Sequence, residues 1–256
     1  MTIATENASS IRCDSVSVRF PSGVVAVDHV SLVVQPAEIL GLVGPSGCGK
    51  TTILRLMAGL QSATSGEVTV DPLATGRSGE IAFVFQQPSL LPWRTALENV
   101  TLPLELIGRG TTAQRRSAAM EMLETVSLSD AWDRLPQQLS GGMRMRVSIA
   151  RALVTQPSVL LLDEPFAALD DMLRNQLGQL FLKLWQERRF TAVMVTHNIG
   201  ESILLSHRIG VMRHGRLAGV LDNPLPLPRD DSLRRSPEFG QFYGCVSDVL
   251  RGDRPS

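Results

Sequence analysis

The chain has 256 residues, a globular composition of 43% hydrophobic and 20% charged residues, and 25 Lys plus Arg against 25 Asp plus Glu. That balance gives no basis for holding nucleic acid by bulk charge, so no nucleic-acid partner is expected. Cys13, Cys48 and Cys245 have neither disulfide-framework nor metal-ligand spacing, apolar runs such as Val159–Leu162 fall far short of the ~20 residues of a membrane helix, and no basic start or apolar stretch of a signal peptide opens the chain.

In chain order, residues 1–10 are polar and expected to be loose. Strands are expected over 15–20 and 26–34, separated by the turn Pro21-Ser22-Gly23. The apolar run Ile39–Val43 reads as a strand, and Thr52–Ala58 as a helix ended by Gly59. Further strands are expected at 67–70 and 81–85. From about 97 to 139 strands give way to helical periodicity, clearest over 112–126, with Met120, Leu123 and Val126 as its apolar positions. Strands resume at 159–162 and 192–195, with an amphipathic helix over 169–185 between them. Residues 209–212 and 217–220 flank His214-Gly215, a hairpin signal. After Asp222 prolines accumulate, and a short tail is expected. Strands alternating with helices imply a mainly parallel, helix-covered sheet.

Between the strand 39–43 and the helix at 52 lies GPSGCGKT, Gly44, Pro45, Ser46, Gly47, Cys48, Gly49, Lys50 and Thr51. This is a phosphate loop in the strand–loop–helix context the motif needs, and chance produces the four-position pattern in only about 1% of chains this long. Its glycines let backbone N–H groups turn toward phosphate oxygens, and the helix start at Thr52 adds partial positive charge. Lys50 is expected on the β- and γ-phosphates, and Thr51 on Mg²⁺. Downstream, Val159–Leu162 ends in Asp163-Glu164, carboxylates that are costly in a buried strand unless they meet a cation. Asp163 suits Mg²⁺, and Glu164 suits a water attacking the γ-phosphate. Leu139-Ser140-Gly141-Gly142-Met143 gives a second candidate anion site at a helix start, with Ser140 as N-cap and two glycines for close approach.

Together these motifs resemble the ATP-binding subunit of an ABC (ATP-binding cassette) transporter over nearly all of residues 16–220. The resemblance implies a P-loop NTPase (RecA-like) α/β core with a mainly parallel sheet, an N-terminal antiparallel β subdomain and a helical insert. Domain limits of 11–221, with the helical subdomain at about 88–155, and a tail at 222–256 follow. It implies that Phe20 stacks on adenine, that Gln86 closes a strand and meets Mg²⁺, that Ser140, Gly141 and Gly142 form the signature loop, and that His197 contacts the γ-phosphate. Lys50, Gln86, Glu164 and His197 become the catalytic set, with Thr51, Gln86 and Asp163 on the metal. ATP and Mg²⁺ are the implied cofactors. The family's signature loop meets the phosphate loop of a second copy, so a homodimer is implied.

A single cassette with no fused membrane helices, long coiled coil or large regulatory domain is similar to bacterial importer subunits. The segments 88–100 and 165–171 and the LSGGM wording resemble the nitrate/sulfonate/taurine group. Expected partners are membrane permease subunits and, indirectly, a periplasmic or extracellular substrate-binding protein. The expected location is peripheral, on the cytoplasmic face of the inner membrane. Rival readings are an exporter or lipid-trafficking cassette and a soluble ATPase acting on nucleic acid or the ribosome. Leu90, Leu91 and Trp93 are expected either to meet the permease or to pack the insert onto the core. Ala37 stands where the family carries Gly and is expected to be strained at positive φ. Met143 and Met145 replace glutamines, and Asn198 replaces Asp.

Overall fold

The computed structural model describes residues 8–71, 80–167 and 169–252. In chain order the elements are β1 (Ser10–Arg19), β2 (Val25–Val34), β3 (Ile39–Val43), α1 (Lys50–Met57), β4 (Ser65–Asp71), β5 (Ile81–Val84), α2 (Ala96–Leu106), α3 (Thr112–Thr125), α4 (Gly141–Leu153), β6 (Val159–Asp163), α5 (Asp171–Arg188), β7 (Thr191–Thr196), α6 (Ile199–Leu205), β8 (Arg208–Arg213), β9 (Arg216–Asp222) and α7 (Pro237–Arg251). Two sheets result: an antiparallel one ordered β2-β1-β4 and a six-stranded one ordered β5-β6-β7-β3-β8-β9. In the larger sheet every neighbour pair is parallel except β8 with β9.

The central strands β3, β6 and β7 of the larger sheet are buried on both faces, which is why they read as continuous apolar runs. Side chains still alternate across the pleat. Ile39, Val43, Leu160, Leu162, Ala192 and Met194 join a core shared with the helices. Leu40, Leu42, Val159, Leu161, Val193 and Val195 join a second core with α1 and the antiparallel sheet, through Ile11, Cys13, Val16, Val18 and Ile53. The sheet thus fixes the phosphate loop, at the end of β3, between two packed layers.

The structure departs from sequence expectation in several elements. β1 begins at Ser10, not Ser15, and Ala8 and Ser9 are buried; residues 1–7 of the segment expected to be loose lie outside the described residues. The cause is a register shift between Cys13 and Val16, with Ser15 at φ 47°. Ile11 and Cys13 face inward before the shift and Val16 and Val18 after it, so the two-residue period is broken mid-strand. In α3, Met120 is exposed, while Ala119, Met122 and Leu123 are buried. The short tail expected after Asp222 carries a helix of its own. Ser236 caps α7 by accepting from the Phe239 N–H, with Pro237 in the first turn. Phe239, Phe242 and Val246 of α7 enter the helix-side core, and each such side chain contributes about 1.5–3 kcal/mol. Arg229 anchors the intervening segment, donating to the Ile203 and Ser206 carbonyls at the end of α6.

The strain expected at Ala37 is present: its φ is 56° in the turn from β2 to β3, and its N–H donates to Thr191 Oγ1 at 3.0 Å. Left-handed backbone costs a side-chain-bearing residue about 1–2 kcal/mol, partly offset because glycine loosens the unfolded chain. Ala37→Gly is therefore expected to stabilise by about 0.5–1 kcal/mol, raising the melting temperature by roughly 2 °C in calorimetry. An unchanged or lower melting temperature would refute the strain.

Candidate functional site

Because β5, β6, β7, β3 and β8 run parallel, their C-terminal ends lie along one edge, where ligands of open α/β sheets bind. That edge carries Gln86 just after β5, Asp163 and Glu164 at β6, His197 just after β7, and the phosphate loop after β3. Sequence-distant groups are brought together there by topology alone.

The phosphate loop turns on Gly47 and Gly49, at φ 77° and 103°. A Cβ at Gly49 would strike the Ala26 carbonyl oxygen, so the loop is sealed against β2. Pro45, Ser46 and Gly47 are exposed, whereas Gly44, Cys48, Gly49 and Lys50 are buried. α1 has no side-chain cap at Gly49, which leaves its first-turn N–H groups for an anion. Thr52 is half-buried in that first turn. The Lys50 ammonium donates to the Gly44 and Pro45 carbonyls at 2.7 and 3.0 Å, drawing the loop around it.

Thr51 Oγ1 donates to Asp163 Oδ1 at 2.9 Å. Burial raises the Asp163 carboxyl, against the Thr51 hydrogen bond that lowers it. Next to it Glu164 holds φ 46°, its N–H bonded to the Val195 carbonyl at 2.9 Å. A non-glycine residue in this region stores strain that surrounding structure must enforce. Its Oε2 lies 3.1 Å from His197 Nδ1. Two pairs, Thr51–Asp163 and Glu164–His197, thus stand side by side at the sheet edge.

Phe20 follows β1 and is 40% exposed. Gln86 is exposed and lines a cavity of about 430 Å³ with Leu90, Gly141, Arg144, Pro165 and Leu169. Ser140 Oγ accepts from the Met143 N–H and caps α4. Among the described residues no hydrogen bond joins Ser140–Gly142 to residues 44–52. The two glycines differ. A Cβ at Gly142 would strike the Leu173 side chain of α5, so its smallness serves packing within the chain, while Gly141 is open. Met145 is buried in the helix-side core and Met143 packs partly against it. Asn198 accepts from the Glu201 N–H at 3.0 Å, keeping the cap that Asp would make.

Arg174 of α5 escaped sequence reading. It donates to the Phe166 and Leu169 carbonyls at 3.5 and 2.8 Å and pairs with Asp171 at 2.6 Å, bracing the loop after Glu164. The only sequence signal is an arginine one turn beyond the cap Asp170. Ala168, within the segment 165–171, lies outside the described residues. Among the described residues no cluster of three or more His, Cys, Asp or Glu forms a metal site, and no helix is long and apolar enough to cross a membrane.

A family model described as ABC transporter matches residues 27–167. The aliphatic sulfonates import ATP-binding protein of Mesorhizobium japonicum is 40% identical over 250 residues, covering 98% of this chain and 92% of that protein. The nitrate import ATP-binding protein of Synechococcus elongatus is 39% identical, covering 97% and 94%. The bicarbonate transport ATP-binding protein of a Synechocystis species is 39% identical, covering 88% and 82%. Among solved structures, a dimeric post-hydrolysis state of an ATP-binding cassette bound to ADP and Pi is similar with a TM-score of 0.75 and 34% identity, covering 84% of this chain and all of that one.

Proposed function

The chain belongs to the ABC transporter family, and from that premise we propose that it is the ATP-hydrolysing subunit of an importer that drives uptake of a small anionic solute through a membrane permease. The observation that carries the reading is the joining of phosphate loop, carboxylates and histidine at one sheet edge, through Thr51–Asp163 and Glu164–His197. The relatives named for sulfonate, nitrate and bicarbonate transport support an importer with a small anion as cargo.

Lys50 and the loop amides bind the ATP phosphates, and Phe20 stacks on the adenine. The fit for Mg²⁺ rests on the donor set. Thr51 and Asp163 offer hard oxygens, and the buried Asp163 carboxylate has a desolvation cost that a cation offsets. Gln86 adds a third oxygen. When bound, Mg²⁺ supplies neutralisation of phosphate charge. Glu164 orients the attacking water and takes its proton, and His197 holds Glu164 and reaches the γ-phosphate.

Two copies act together. The exposed Ser140 and Gly141 of one chain approach the nucleotide of the other, and the dimeric cassette structure supports the pairing of two chains. The subunit then sits peripherally on the cytoplasmic face of the membrane, with a substrate-binding protein delivering cargo to the permease from the far side. Residues 11–221 are the ATPase domain, with α2–α4 as its helical part and 222–256 as its C-terminal extension.

The permease contact lies in the loop after Gln86. Leu90 packs partly against the core, but Trp93 is 73% exposed, so core packing does not account for it. Trp93→Asp is expected to leave ATPase activity of the free subunit within about twofold, because surface substitutions typically shift stability by under about 0.5 kcal/mol. Uptake and co-purification with the permease should be lost. A Trp93→Asp variant that still co-purifies and transports would place the contact elsewhere.

A further inference from the structure

Glu201 lies in the first turn of α6, four residues past His197, and its side chain is only 6% exposed. A carboxylate so buried needs partners. Its Oε2 is 3.9 Å from Arg174 Nε, and the Thr196 hydroxyl sits beside it and favours its charged form. Its own N–H donates to the Asn198 side chain, and the Asn198 N–H donates to Thr196 Oγ1 at 3.1 Å. Thr196, Asn198 and Glu201 therefore close a ring of contacts around the turn that presents His197.

The Arg174 side of this contact leads to the other catalytic element. Its guanidinium gathers the Phe166 and Leu169 carbonyls, the two ends of the turn that follows Glu164. The Glu164–His197 contact is thus backed by a second bridge that runs through Arg174 to Glu201. We propose that Glu201 is a positioning residue for hydrolysis, tying the turn that carries His197 to the loop that carries Glu164 by way of Arg174. This rests on Glu164 and His197 acting at the γ-phosphate as proposed above.

The charges facing Glu201 come from three further elements. Arg174 stands on α5 and His197 at the end of β7. Arg234 arrives from the segment before α7, paired with Asp231 at 2.6 Å and packed over Gly200. Burial pushes the Glu201 carboxyl up to about 7, while Thr196, Arg174, His197 and Arg234 pull toward the charged form. A merely structural acid in this position would be replaceable by its amide. A positioning acid would not, because the bridge depends on the attraction to Arg174.

The test uses the full chain with Glu201→Gln, Arg174→Met and the double variant, measuring kcat and KM for ATP separately. The phosphate loop and Phe20 are untouched, so KM should stay within about twofold. Misplacement of the Glu164–His197 pair should lower kcat by about tenfold or more in each single variant. The double variant should be no worse than the poorer single, because both remove one bridge. Wild-type kcat in Glu201→Gln, multiplicative losses in the double, or a rise in KM that matches the loss would each overturn the proposal. If Glu201→Gln does not fold, Glu201→Asp takes its place: an unchanged kcat refutes the bridge, and a kcat lowered at constant KM with no further loss on adding Arg174→Met supports it. Glu164→Gln run in parallel separates the two readings. If it keeps turnover, the site assignment fails. If it is inactive while Glu201→Gln is normal, only the bridge fails.

Discussion

Lys50→Ala is expected to lower ATP turnover by about 10³-fold. Lys50 is the buried cation of the phosphate loop, 5% exposed, with two of its three protons on the Gly44 and Pro45 carbonyls. The loop's amides carry partial charges and α1 adds about half a unit at its start, but neither supplies a mobile full charge. Losing one preorganised donor at a centre of developing negative charge costs about 10²–10³-fold, and loss of a full charge lies at the upper end. Each factor of ten is about 1.4 kcal/mol, so about 4 kcal/mol is ascribed to this one ammonium. Alanine also leaves the two carbonyls without their donor, which loosens the loop and should weaken ATP binding. Measuring both turnover and ATP affinity checks this, and near-normal turnover would remove the phosphate-loop assignment.

The phosphate loop, the Asp163-Glu164 pair and the core strands were legible in sequence because each obeys a local rule. A strand covered on both faces is apolar throughout, so Ile39–Val43 and Val159–Leu162 needed no periodicity to be read. Alignment of the strand ends along one edge was not local, and came instead from the requirement that parallel strands share a direction. What was missed has identifiable causes. α6 is buried on every side, so Ile199–Leu205 shows no amphipathic stripe. α7 did carry its signals, a Ser236 cap, Pro237 in the first turn and apolar residues at 239, 242 and 246, but the prolines at 224, 226 and 228 pointed to a short tail with no element assigned in it. The two glycines of the signature loop looked equivalent in sequence. Only the packing of Leu173 against Gly142 separates them, and Leu173 lies 31 residues away. Arg174 and Glu201 were invisible for the same reason: their meaning is a contact between two helices that the sequence does not place side by side.

Glu164→Gln is expected to halt hydrolysis while ATP binding survives. Glu164 Oε2 lies 3.1 Å from His197 Nδ1, and the backbone N–H is held by the Val195 carbonyl. Glutamine has the same length and shape, can keep a hydrogen bond to the imidazole, and meets the same φ of 46° at no added cost. The single change is that an amide cannot accept the water's proton. On the proposed assignment the water oxygen bonds to the γ-phosphorus, the bond from that phosphorus to the β-bridging oxygen breaks, ADP departs, and the proton passes to the Glu164 carboxylate. Without that acceptor the rate should fall by about 10²–10⁴-fold. Lys50, Thr51 and the loop amides are unaltered, so ATP stays bound, and two chains held by two nucleotides should accumulate as a dimer. Light scattering with and without Mg-ATP reads the mass, alongside a turnover assay. A variant that remains monomeric with ATP and turns over at the wild-type rate would show that Glu164 is not the proton acceptor and that the two chains do not share their sites.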